Sequence, residues 1–474
     1  MRTRLGTMFA LLFLFSAVTT AAAAAEKLNV LFVISDDLNN GLGCYEHRLV
    51  KSPNIDRLAS QGLKFDRAYC QYPLCNPSRA SMLTGMLPGN TGVHQNKTHF
   101  RKKNPDVVTL PQLFRNHGYF VARVGKLYHY GVPREIGTSG VMDDPASWDQ
   151  VVNPRGRDKD DEDKIFSLIP GRFGGTLSWL AADGTDDEQT DGIGANAAVK
   201  MLEEHQDEPF FLAVGFYRPH TPYVAPKPYF ESYPTTAINL APVEDNRNLL
   251  PPAALGSAKR EHSKLNNRLR REAIQAYYAS TTFMDAQVGK LLDTVDRLGL
   301  TEKTVIVMTS DHGYHLGEHG LWQKMSLFEE SARVPMIISA PGMKARGKST
   351  QQLAELLDLY PTLADVCDLP APEHLGGQSL KALLDDPEQF TRPAAITKVL
   401  RRGKRNSGKK EYFGYTIRTD QYRYTEWDGG EQGIELYDHT TDPSEHHNLA
   451  DDESMAPTLT KMKHLLEDRL AGKS

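Results

Sequence analysis

The sequence predicts an α/β fold in which a large, mostly parallel sheet is flanked by helices and followed by a smaller C-terminal antiparallel sheet with a helix. Short apolar runs at residues 28–35, 210–216 and 304–310 are typical of parallel strands that are buried on both faces. Amphipathic segments such as 54–61 and 272–298 alternate with these runs. This alternation favours a parallel sheet that is covered by helices.

The character of the chain changes from about residue 393. The runs 412–418, 422–427 and 435–438 are β-like, and residues 455–470 have the pattern of a closing helix. The chain has 474 residues, which suits one large domain with a smaller second one. We therefore expect a main domain over residues 26–385 and a C-terminal α+β subdomain over residues 386–474.

Residues 1–25 have the pattern of a secretory signal peptide. Arg2 and Arg4 supply the charged start, residues 9–18 are apolar but too few to span a bilayer, and residues 21–25 are small enough for cleavage. No later run is predicted to be a membrane helix. We therefore expect an exported protein, periplasmic or secreted, with no membrane attachment once this segment is removed.

The overall charge bears on the partners of the protein. A formal net charge of −5 is unfavourable for general binding of nucleic acid, so no nucleic-acid partner is expected. An anionic ligand would have to be attracted by a local positive site rather than by the field of the whole protein.

Charged side chains follow the apolar runs at the points where the strands are expected to end. Asp36 and Asp37 follow the first run, His220 follows the second, and Asp311 and His312 follow the third. Ligands of open α/β sheets bind beyond the carboxyl ends of the strands. Clustered carboxylates suit calcium or magnesium. The alternative for Asp36 and Asp37 is the capping of a helix start.

Residues 75–79 read Cys-Asn-Pro-Ser-Arg and place Cys75 near the start of a predicted helix. Unpaired backbone N–H groups and the positive end of the helix dipole favour an anion at such a position. Arg79 adds a planar set of donors that suits a sulfate or a phosphate. A structural cysteine, or a disulfide between Cys70 and Cys75, is the alternative.

The Cys-x-Pro-Ser-Arg spacing resembles that of the formylglycine-dependent sulfatases, whose fold is alkaline-phosphatase-like. In that family the cysteine is oxidised to formylglycine, and the hydrate of this aldehyde is the nucleophile. The resemblance runs from about residue 29 to 449. The segments that carry it, besides residues 75–85, are 36–37, 42–45, 52–56, 125–129, 211–215, 218–220, 310–313, 317–320, 414–419 and 422–425.

The resemblance implies a metal site. Asp36, Asp37, Asp311 and His312 would bind one calcium ion, together with the hydrated aldehyde that is made from Cys75. The ion would polarise a sulfate oxygen and favour the deprotonated nucleophile.

The resemblance also implies roles for five further residues. Arg79 would keep the surroundings of the nucleophile positive, and Lys126 and Lys324 would bind sulfate oxygens. His129 would contact the formylglycine diol. His220 and Lys324 would protonate the leaving alcohol. Surface lysines and structural histidines are the alternatives at these positions, and His315 and His319 are expected to be structural or supporting residues.

The function that follows from the resemblance is the hydrolysis of carbohydrate sulfate esters, with exo action on a 2-O-sulfated uronic acid or a similar terminal sugar. The partners would be a sulfated saccharide and a formylglycine-generating maturation enzyme. Two alternatives stay open: a formylglycine-dependent hydrolase of phosphonate or phosphate esters, and a non-catalytic glycan-binding protein with unmodified Cys75.

Two polar stretches are expected to be solvated. Residues 138–164 have the composition of a loop, and residues 158–164 are all charged. The basic residues between 401 and 410 are expected to form a hairpin loop, with contact to an anionic saccharide as the alternative.

Overall fold

The computed structural model describes residues 27–242, 247–403 and 411–472. The signal peptide expected over residues 1–25 and the basic residues 404–410 lie outside the described residues. Within the described ranges, no helix combines the length and the apolar character that crossing a bilayer requires.

The strands are, in chain order, β1 (Asn29–Asp36), β2 (Leu63–Tyr69), β3 (Phe120–Gly125), β4 (Gln150–Val152), β5 (Phe166–Ser167), β6 (Ser178–Ala182), β7 (Phe210–Pro219), β8 (Tyr223–Pro226), β9 (Thr304–Ser310), β10 (His315–Leu316), β11 (Trp322–Gln323), β12 (Arg333–Ser339), β13 (Lys348–Thr350), β14 (Ala354–Glu355), β15 (Ala395–Arg402), β16 (Glu411–Arg418), β17 (Tyr422–Trp427) and β18 (Ile434–Asp438). The α-helices are α1 (Pro53–Gln61), α2 (Cys75–Thr84), α3 (Pro88–Thr91), α4 (Leu110–Asn116), α5 (Arg157–Asp160), α6 (Thr190–Glu204), α7 (Lys227–Glu231), α8 (Asn267–Arg297), α9 (Glu329–Ala332), α10 (Leu359–Val366) and α11 (Ala456–Leu470).

A nine-stranded sheet forms the centre of the molecule, in the order β13-β2-β12-β9-β1-β7-β3-β4, with β14 paired to β2. Strand β1 lies between β7 and β9 and is parallel to both. Strand β12 is antiparallel to its two neighbours, so the sheet is mostly and not entirely parallel. The predicted α/β class is confirmed.

Both faces of this sheet are covered, and β1 shows why its sequence is a continuous apolar run. Val30, Phe32 and Ile34 belong to the core on one face, which also includes residues of α2, α4 and α10. Leu31 and Val33 belong to the core on the other face, with residues of α6 and α8. Full burial of one such side chain contributes about 1.5–3 kcal/mol, which favours apolar residues at successive positions.

Strands β15 to β18 form a separate four-stranded antiparallel sheet. Met462 and Leu466 of α11 belong to one apolar cluster with Ile417, Tyr424 and Leu436 of this sheet. The smaller C-terminal sheet with its helix is therefore confirmed, and β15 is a strand that the sequence patterns did not indicate.

The basic start of the stretch 401–410 differs from the expectation of a solvated hairpin loop. Arg401 is buried in β15, its guanidinium lies 4.8 Å from the ring centre of Trp427, and Nε donates to the carbonyl of Ala253. On the same strand, Lys398 Nζ lies 4.0 Å from the ring centre of Phe413. Cations that pack on aromatic faces can be buried, and they interrupt the apolar pattern of a strand.

The stretch 138–164 also differs from a wholly solvated loop. Strand β4 extends the edge of the main sheet by pairing with β3, and α5 follows it. Asp158 is buried, accepts a hydrogen bond from Thr190 N at 2.8 Å and forms an ion pair with Arg218. A buried ion pair with a distant strand anchors this charged segment.

Candidate active site

The carboxyl ends of β1, β7 and β9 meet at one edge of the sheet. The pairing of Ser35 with Ser310 places Asp36 and Asp37 beside Asp311. Asp37 N donates to Asp311 Oδ1 at 3.2 Å, and both aspartates are fully buried. The topology therefore brings together residues that are far apart in the sequence, as predicted from the strand ends.

Helix α2 presents Cys75 to this edge. The helix begins at Cys75, and all of its residues are buried. One turn later, Arg79 Nε donates to Asp311 Oδ2 at 2.8 Å, and Arg79 Nη2 lies 3.3 Å from Asp36 Oδ1. Arg79 thus fixes the first turn of the helix to the ends of β1 and β9.

Two lysines approach the same carboxylates. Lys126 Nζ contacts Asp36 Oδ2, and Lys324 Nζ contacts Asp37 Oδ1. Burial alone would raise the pKa of Asp36, but Lys126, His220 and Arg79 together hold that pKa well below its usual value. Asp36 is therefore held as an anion inside the protein.

The sulfur of Cys75 lies within this group of charges. Lys324 Nζ is 3.1 Å from Cys75 Sγ, His312 Nε2 is 3.5 Å away, and Asp37 Oδ1 is 3.9 Å away. Burial would raise the pKa of the thiol, but Lys126 and Lys324 outweigh burial and lower the pKa of Cys75 to about 7. The site therefore favours a negative charge at the position of this side chain.

Two histidines lie around the charges. His220 Nδ1 lies 2.5 Å from the carbonyl of Thr221, and Nε2 lies 3.8 Å from Asp37 Oδ2. Burial and Lys324 lower the pKa of His220 to about 4, and burial and Lys126 lower the pKa of His129 to about 3. Both rings are thus neutral at pH 7. A carbonyl only accepts, so Nδ1 of His220 carries the proton and Nε2 is free to accept one.

The backbone around Lys324 is held in an unfavourable conformation. Gln323 has φ 69° and Met325 has φ 73°, which is the left-handed region that non-glycine residues rarely occupy. Each such residue costs about 1–3 kcal/mol unless its surroundings compensate. The two strained residues flank the lysine that reaches Cys75 and Asp37.

The donor atoms fit a divalent cation. Ligand atoms of Asp36, Asp37, Cys75 and His220 lie within 4.8 Å of one another, and a second group combines Cys75 with Asp311 and His312. Asp37 Oδ2 is buried and has no hydrogen-bond partner among the residues that the structure describes. A buried carboxylate oxygen without a partner is unfavourable, and a hard cation such as calcium would satisfy it.

A cavity of about 460 Å³ opens onto these residues and is lined by His129, His220 and Lys324. A larger cavity of about 1060 Å³ adjoins it but is lined by none of the predicted catalytic residues, and for this reason we place the reaction in the smaller one. Lys259 also lines the smaller cavity, and sequence reasoning missed it. The polar, highly charged segment around Lys259 carries no pattern that would have identified it.

The structure brings nearly all the predicted site residues together. The residues with direct contacts in the cluster are Asp36, Asp37, Cys75, Arg79, Lys126, His220, Asp311, His312 and Lys324. His129 lies in the cavity wall. Cys70 and Cys75 are both free thiols, so the alternative of a disulfide between them does not hold.

Comparison with known families decides the identity. A family profile described as Sulfatase matches residues 28–369. The chain belongs to the sulfatase family. A second profile, described as N-sulphoglucosamine sulphohydrolase, C-terminal, matches residues 317–471 of this sulfatase. The sulfatase is therefore a sulfuric ester hydrolase, and the family indicated by the sequence motifs is confirmed.

Individual relatives cover nearly the whole chain. Mouse (Mus musculus) iduronate 2-sulfatase is 32% identical over 512 aligned residues, which cover 91% of this sulfatase and 92% of the mouse protein. A sulfatase of Formosa agariphila is 31% identical, and the alignment covers 93% of this chain and 86% of the Formosa protein. The crystal structure of the phosphonate monoester hydrolase of Agrobacterium radiobacter superposes with a TM-score of 0.78 at 23% identity, covering 94% and 96% of the two chains. This likeness shows a shared fold.

Proposed function

We propose that this sulfatase hydrolyses sulfate esters of carbohydrates, using a formylglycine that is made from Cys75 and one bound calcium ion. The observation that carries the proposal is the position of Cys75 Sγ, which lies 3.1 Å from Lys324 Nζ and 3.5 Å from His312 Nε2. At this edge β1 and β9 deliver carboxylates, and β7 delivers His220. A cysteine that only packed in the core would not need this arrangement of charges.

The two groups that the proposal adds have defined tasks. The formylglycine hydrate supplies an oxygen nucleophile at position 75, and calcium supplies positive charge that polarises a sulfate oxygen and favours the deprotonated nucleophile. Asp36, Asp37, Asp311 and His312 would hold the ion, with the side chain of residue 75 as a further ligand. The partnerless Asp37 Oδ2 supports this assignment.

The remaining residues of the cluster act on the substrate and the nucleophile. Lys126 and Lys324 bind sulfate oxygens and offset the charge that develops during transfer. Arg79 keeps the surroundings of position 75 positive and holds Asp311 in place at 2.8 Å. His129 contacts the diol from the cavity wall.

Protonation of the leaving alcohol falls to His220 together with Lys324. His220 is neutral in the structure because burial and Lys324 lower its pKa to about 4. An anionic sulfate bound beside the ring would raise this pKa, since an opposite charge favours the protonated form. Substrate binding therefore prepares the acid that the reaction requires.

The substrate that we propose is a terminal 2-O-sulfated uronic acid or a similar terminal sugar, from which the enzyme removes the sulfate in exo mode. The support comes from the mouse relative, which is an iduronate 2-sulfatase. The cavity of about 460 Å³ is within the range of small-molecule sites.

Maturation and location complete the proposal. We infer that residues 1–25 direct export to the periplasm or the medium, and that a maturation enzyme oxidises Cys75. We assign residues 26–385 to the catalytic domain and residues 386–474 to the C-terminal subdomain.

A hydrolase of phosphonate or phosphate esters is the second candidate. The likeness in fold to a phosphonate monoester hydrolase favours it, because sulfate and phosphate groups have similar shapes. Comparison of the rates with an aryl sulfate and with a phosphate diester separates the two functions. Membership of an enzyme family speaks against the non-catalytic glycan-binding alternative.

The test is sulfate release from defined sulfated mono-, di- and oligosaccharides by protein co-produced with a maturation enzyme, with Cys75→Ala as the control. Release from a terminal 2-O-sulfated uronate is the expected result. Release from other sugars only would overturn the proposed substrate and keep the reaction. No release above the control, with the aldehyde at position 75 verified by mass, would overturn the proposed function.

A further inference from the structure

The active-site cavity contains a lysine that the proposed reaction does not use. Lys259 lines the cavity together with His129, His220 and Lys324. Its Nζ donates to the carbonyl of Gly175 and to Gln323 Oε1. Both acceptors are neutral, and no aspartate or glutamate is present among the described residues that line the cavity. The charge of Lys259 is therefore not balanced by the wall in which it lies.

The surroundings of Lys259 destabilise the protonated form of its side chain. Burial is the main reason why the pKa of Lys259 falls to about 8. Glu261 and Asp37 oppose the fall without cancelling it, and Lys324 adds to it. Lys259 is half-buried. A partly desolvated ammonium group is stabilised most by an anionic partner, and neutral oxygens compensate only in part. An anion that entered the cavity would supply the missing partner.

A second polar group on the same segment has no partner in the described part of the chain. Ser257 Oγ is buried and makes no hydrogen bond to any described residue, and Ser257 lines the same cavity two residues before Lys259. In the same cavity wall, His129 Nδ1 is likewise buried without a partner among these residues. These atoms offer hydrogen-bonding capacity that the protein itself leaves unused.

We propose that Lys259 and Ser257 form a subsite for a second anionic group of the substrate, either a carboxylate or a second sulfate ester. The scissile sulfate is assigned to Lys126 and Lys324, and the hydrogen bond from Lys259 to Gln323, the neighbour of Lys324, places the subsite next to it. The inference deepens the proposed function and rests on it, because it concerns the same cavity and the same class of sulfated sugar.

Two substrate pairs test the subsite and distinguish the sources of the anion. The first pair is a 2-O-sulfated uronic acid and the corresponding hexose 2-sulfate, which lacks only the carboxylate. The second pair is a hexose disulfate and its monosulfate. For each pair, the selectivity is the ratio of kcat/KM for the more anionic member to kcat/KM for the less anionic one.

Lys259→Met is expected to lower this selectivity about 10- to 100-fold for at least one pair, mainly through KM, which is the loss that removal of one hydrogen bond to a charged group gives. Lys259→Arg keeps the charge and is expected to keep most of the selectivity. Lys264→Met is the matched control, since Lys264 is an exposed lysine that does not line the cavity. Thermal unfolding of each variant verifies that the fold is intact.

If Lys259→Met lowers the selectivity for the first pair alone, the subsite binds a carboxylate. If it lowers the selectivity for the second pair alone, the subsite binds a sulfate ester. Unchanged selectivity for both pairs in folded Lys259→Met overturns the subsite. If the wild type releases no sulfate from any compound, the proposed function fails. The subsite is then tested separately by titrating the four compounds into Cys75→Ala and into Cys75→Ala/Lys259→Met. Equal affinities of the two variants overturn the subsite. Weaker binding of the more anionic compounds by the double variant supports it.

Discussion

Two of the buried groups of opposite charges among the described residues differ in how completely their carboxylates are matched. One is the active-site cluster. The other, the junction cluster, consists of Glu329, Arg418, Arg423, His439 and Glu445 and connects α9 of the main domain to the C-terminal sheet. In the junction cluster, Arg423 pairs with Glu329 and Glu445, and His439 Nε2 lies 2.8 Å from Glu445 Oε1.

The carboxylate oxygens of the junction cluster all have partners. Glu329 Oε1 accepts a hydrogen bond from the Tyr69 hydroxyl at 3.0 Å, and Glu329 Oε2 pairs with Arg423. Glu445 Oε2 accepts a hydrogen bond from Glu329 N at 2.8 Å, so both of its oxygens are satisfied.

In the active site, Asp37 Oδ2 and His129 Nδ1 are buried without partners in the described ranges, and His129 lines a cavity. Both clusters contain acidic and histidine side chains close enough to hold a metal ion. A cavity of about 670 Å³ also adjoins the junction cluster, and Arg418 Nε is buried there without a hydrogen-bond partner among the described residues. The comparison therefore teaches that a carboxylate oxygen without a partner, rather than buried charge or an adjoining cavity, distinguishes the active-site cluster from the junction cluster.

The largest expected effect is on the active-site side of this comparison. Cys75→Ala is expected to lower sulfate release at least about 10⁴-fold, as loss of a nucleophile does in other hydrolases. Cys75→Ser is expected to give at most one turnover per enzyme, because serine lacks the second hydroxyl of a hydrate. Counting released sulfate per enzyme molecule measures both. Steady turnover by Cys75→Ser would contradict the aldehyde mechanism.

Removal of divalent metal is expected to act on the active site in two ways. Exhaustive chelation should abolish sulfate release, and calcium should restore it. It should also lower Tm, because an ion that binds only the native state stabilises it by about 3–4 kcal/mol at 100 to 1,000 times Kd. Activity assays and thermal unfolding of the same samples test both. Full activity and an unchanged Tm in metal-free protein would rule out the calcium site.

The junction cluster is expected to affect stability and not the reaction. Arg423→Met should lower the free energy of unfolding by about 3–5 kcal/mol, because it leaves Glu329 and Glu445 buried without their cation. The kcat per folded molecule should stay within about twofold of wild type. Denaturant unfolding measures the free energy of unfolding, and active-site titration combined with rate assays gives kcat per folded molecule. A large loss of kcat in folded Arg423→Met would show that the two clusters are coupled.

Acid should weaken the junction cluster in a defined range of pH. Burial would raise the pKa of Glu445, but Arg423 outweighs burial and lowers this pKa to about 2. A depressed carboxylate pKa contributes stability above the unfolded value of about 4.3 and loses it as pH falls towards the folded value. Glu445→Gln should therefore flatten the fall of unfolding free energy between about pH 4.5 and pH 2. If the unfolding free energy of the variant and of the wild type fell equally steeply over this range of pH, the assignment to Glu445 would be contradicted.

The smallest effect on the free energy of unfolding is expected from an ion pair whose charges are matched but exposed to water. Arg346 Nη2 lies 3.1 Å from Glu302 Oε1 at the surface. Arg346→Met should change the free energy of unfolding by less than about 1 kcal/mol, since water already solvates both charges. This variant is the control for Arg423→Met. An equally large loss from both would mean that burial does not explain the difference.

Those parts of the molecule that depend on short-range patterns could be predicted. The apolar runs of β1, β7 and β9 indicated buried parallel strands, and the rule for strand ends then placed Asp36, Asp37, Asp311 and His312 together. The metal-ligand and catalytic roles of these residues remain predictions that the experiments above address.

The features that escaped prediction depend on distant contacts. Strand β15 was not recognised, because Lys398 and Arg401 occupy buried positions that only the rings of Phe413 and Trp427 make favourable. Lys259 reaches the cavity from a segment without an α-helix or a strand, so no periodicity reveals its direction. The pairing of Arg423 with Glu329 joins residues from separate parts of the chain, and nothing in the segment 422–425 indicates the partner of Arg423.

The burial of α2 has a consequence for the timing of synthesis. Cys75 is 1% exposed, and every residue of its helix is buried, so no macromolecular catalyst can reach its sulfur in the folded protein. Core elements open rarely, and native lifetimes extend to hours or days for many domains. The oxidation that we propose for Cys75 would therefore have to be completed while the chain is still unfolded. In that case the relative rates of modification and folding would set the proportion of active molecules in each preparation.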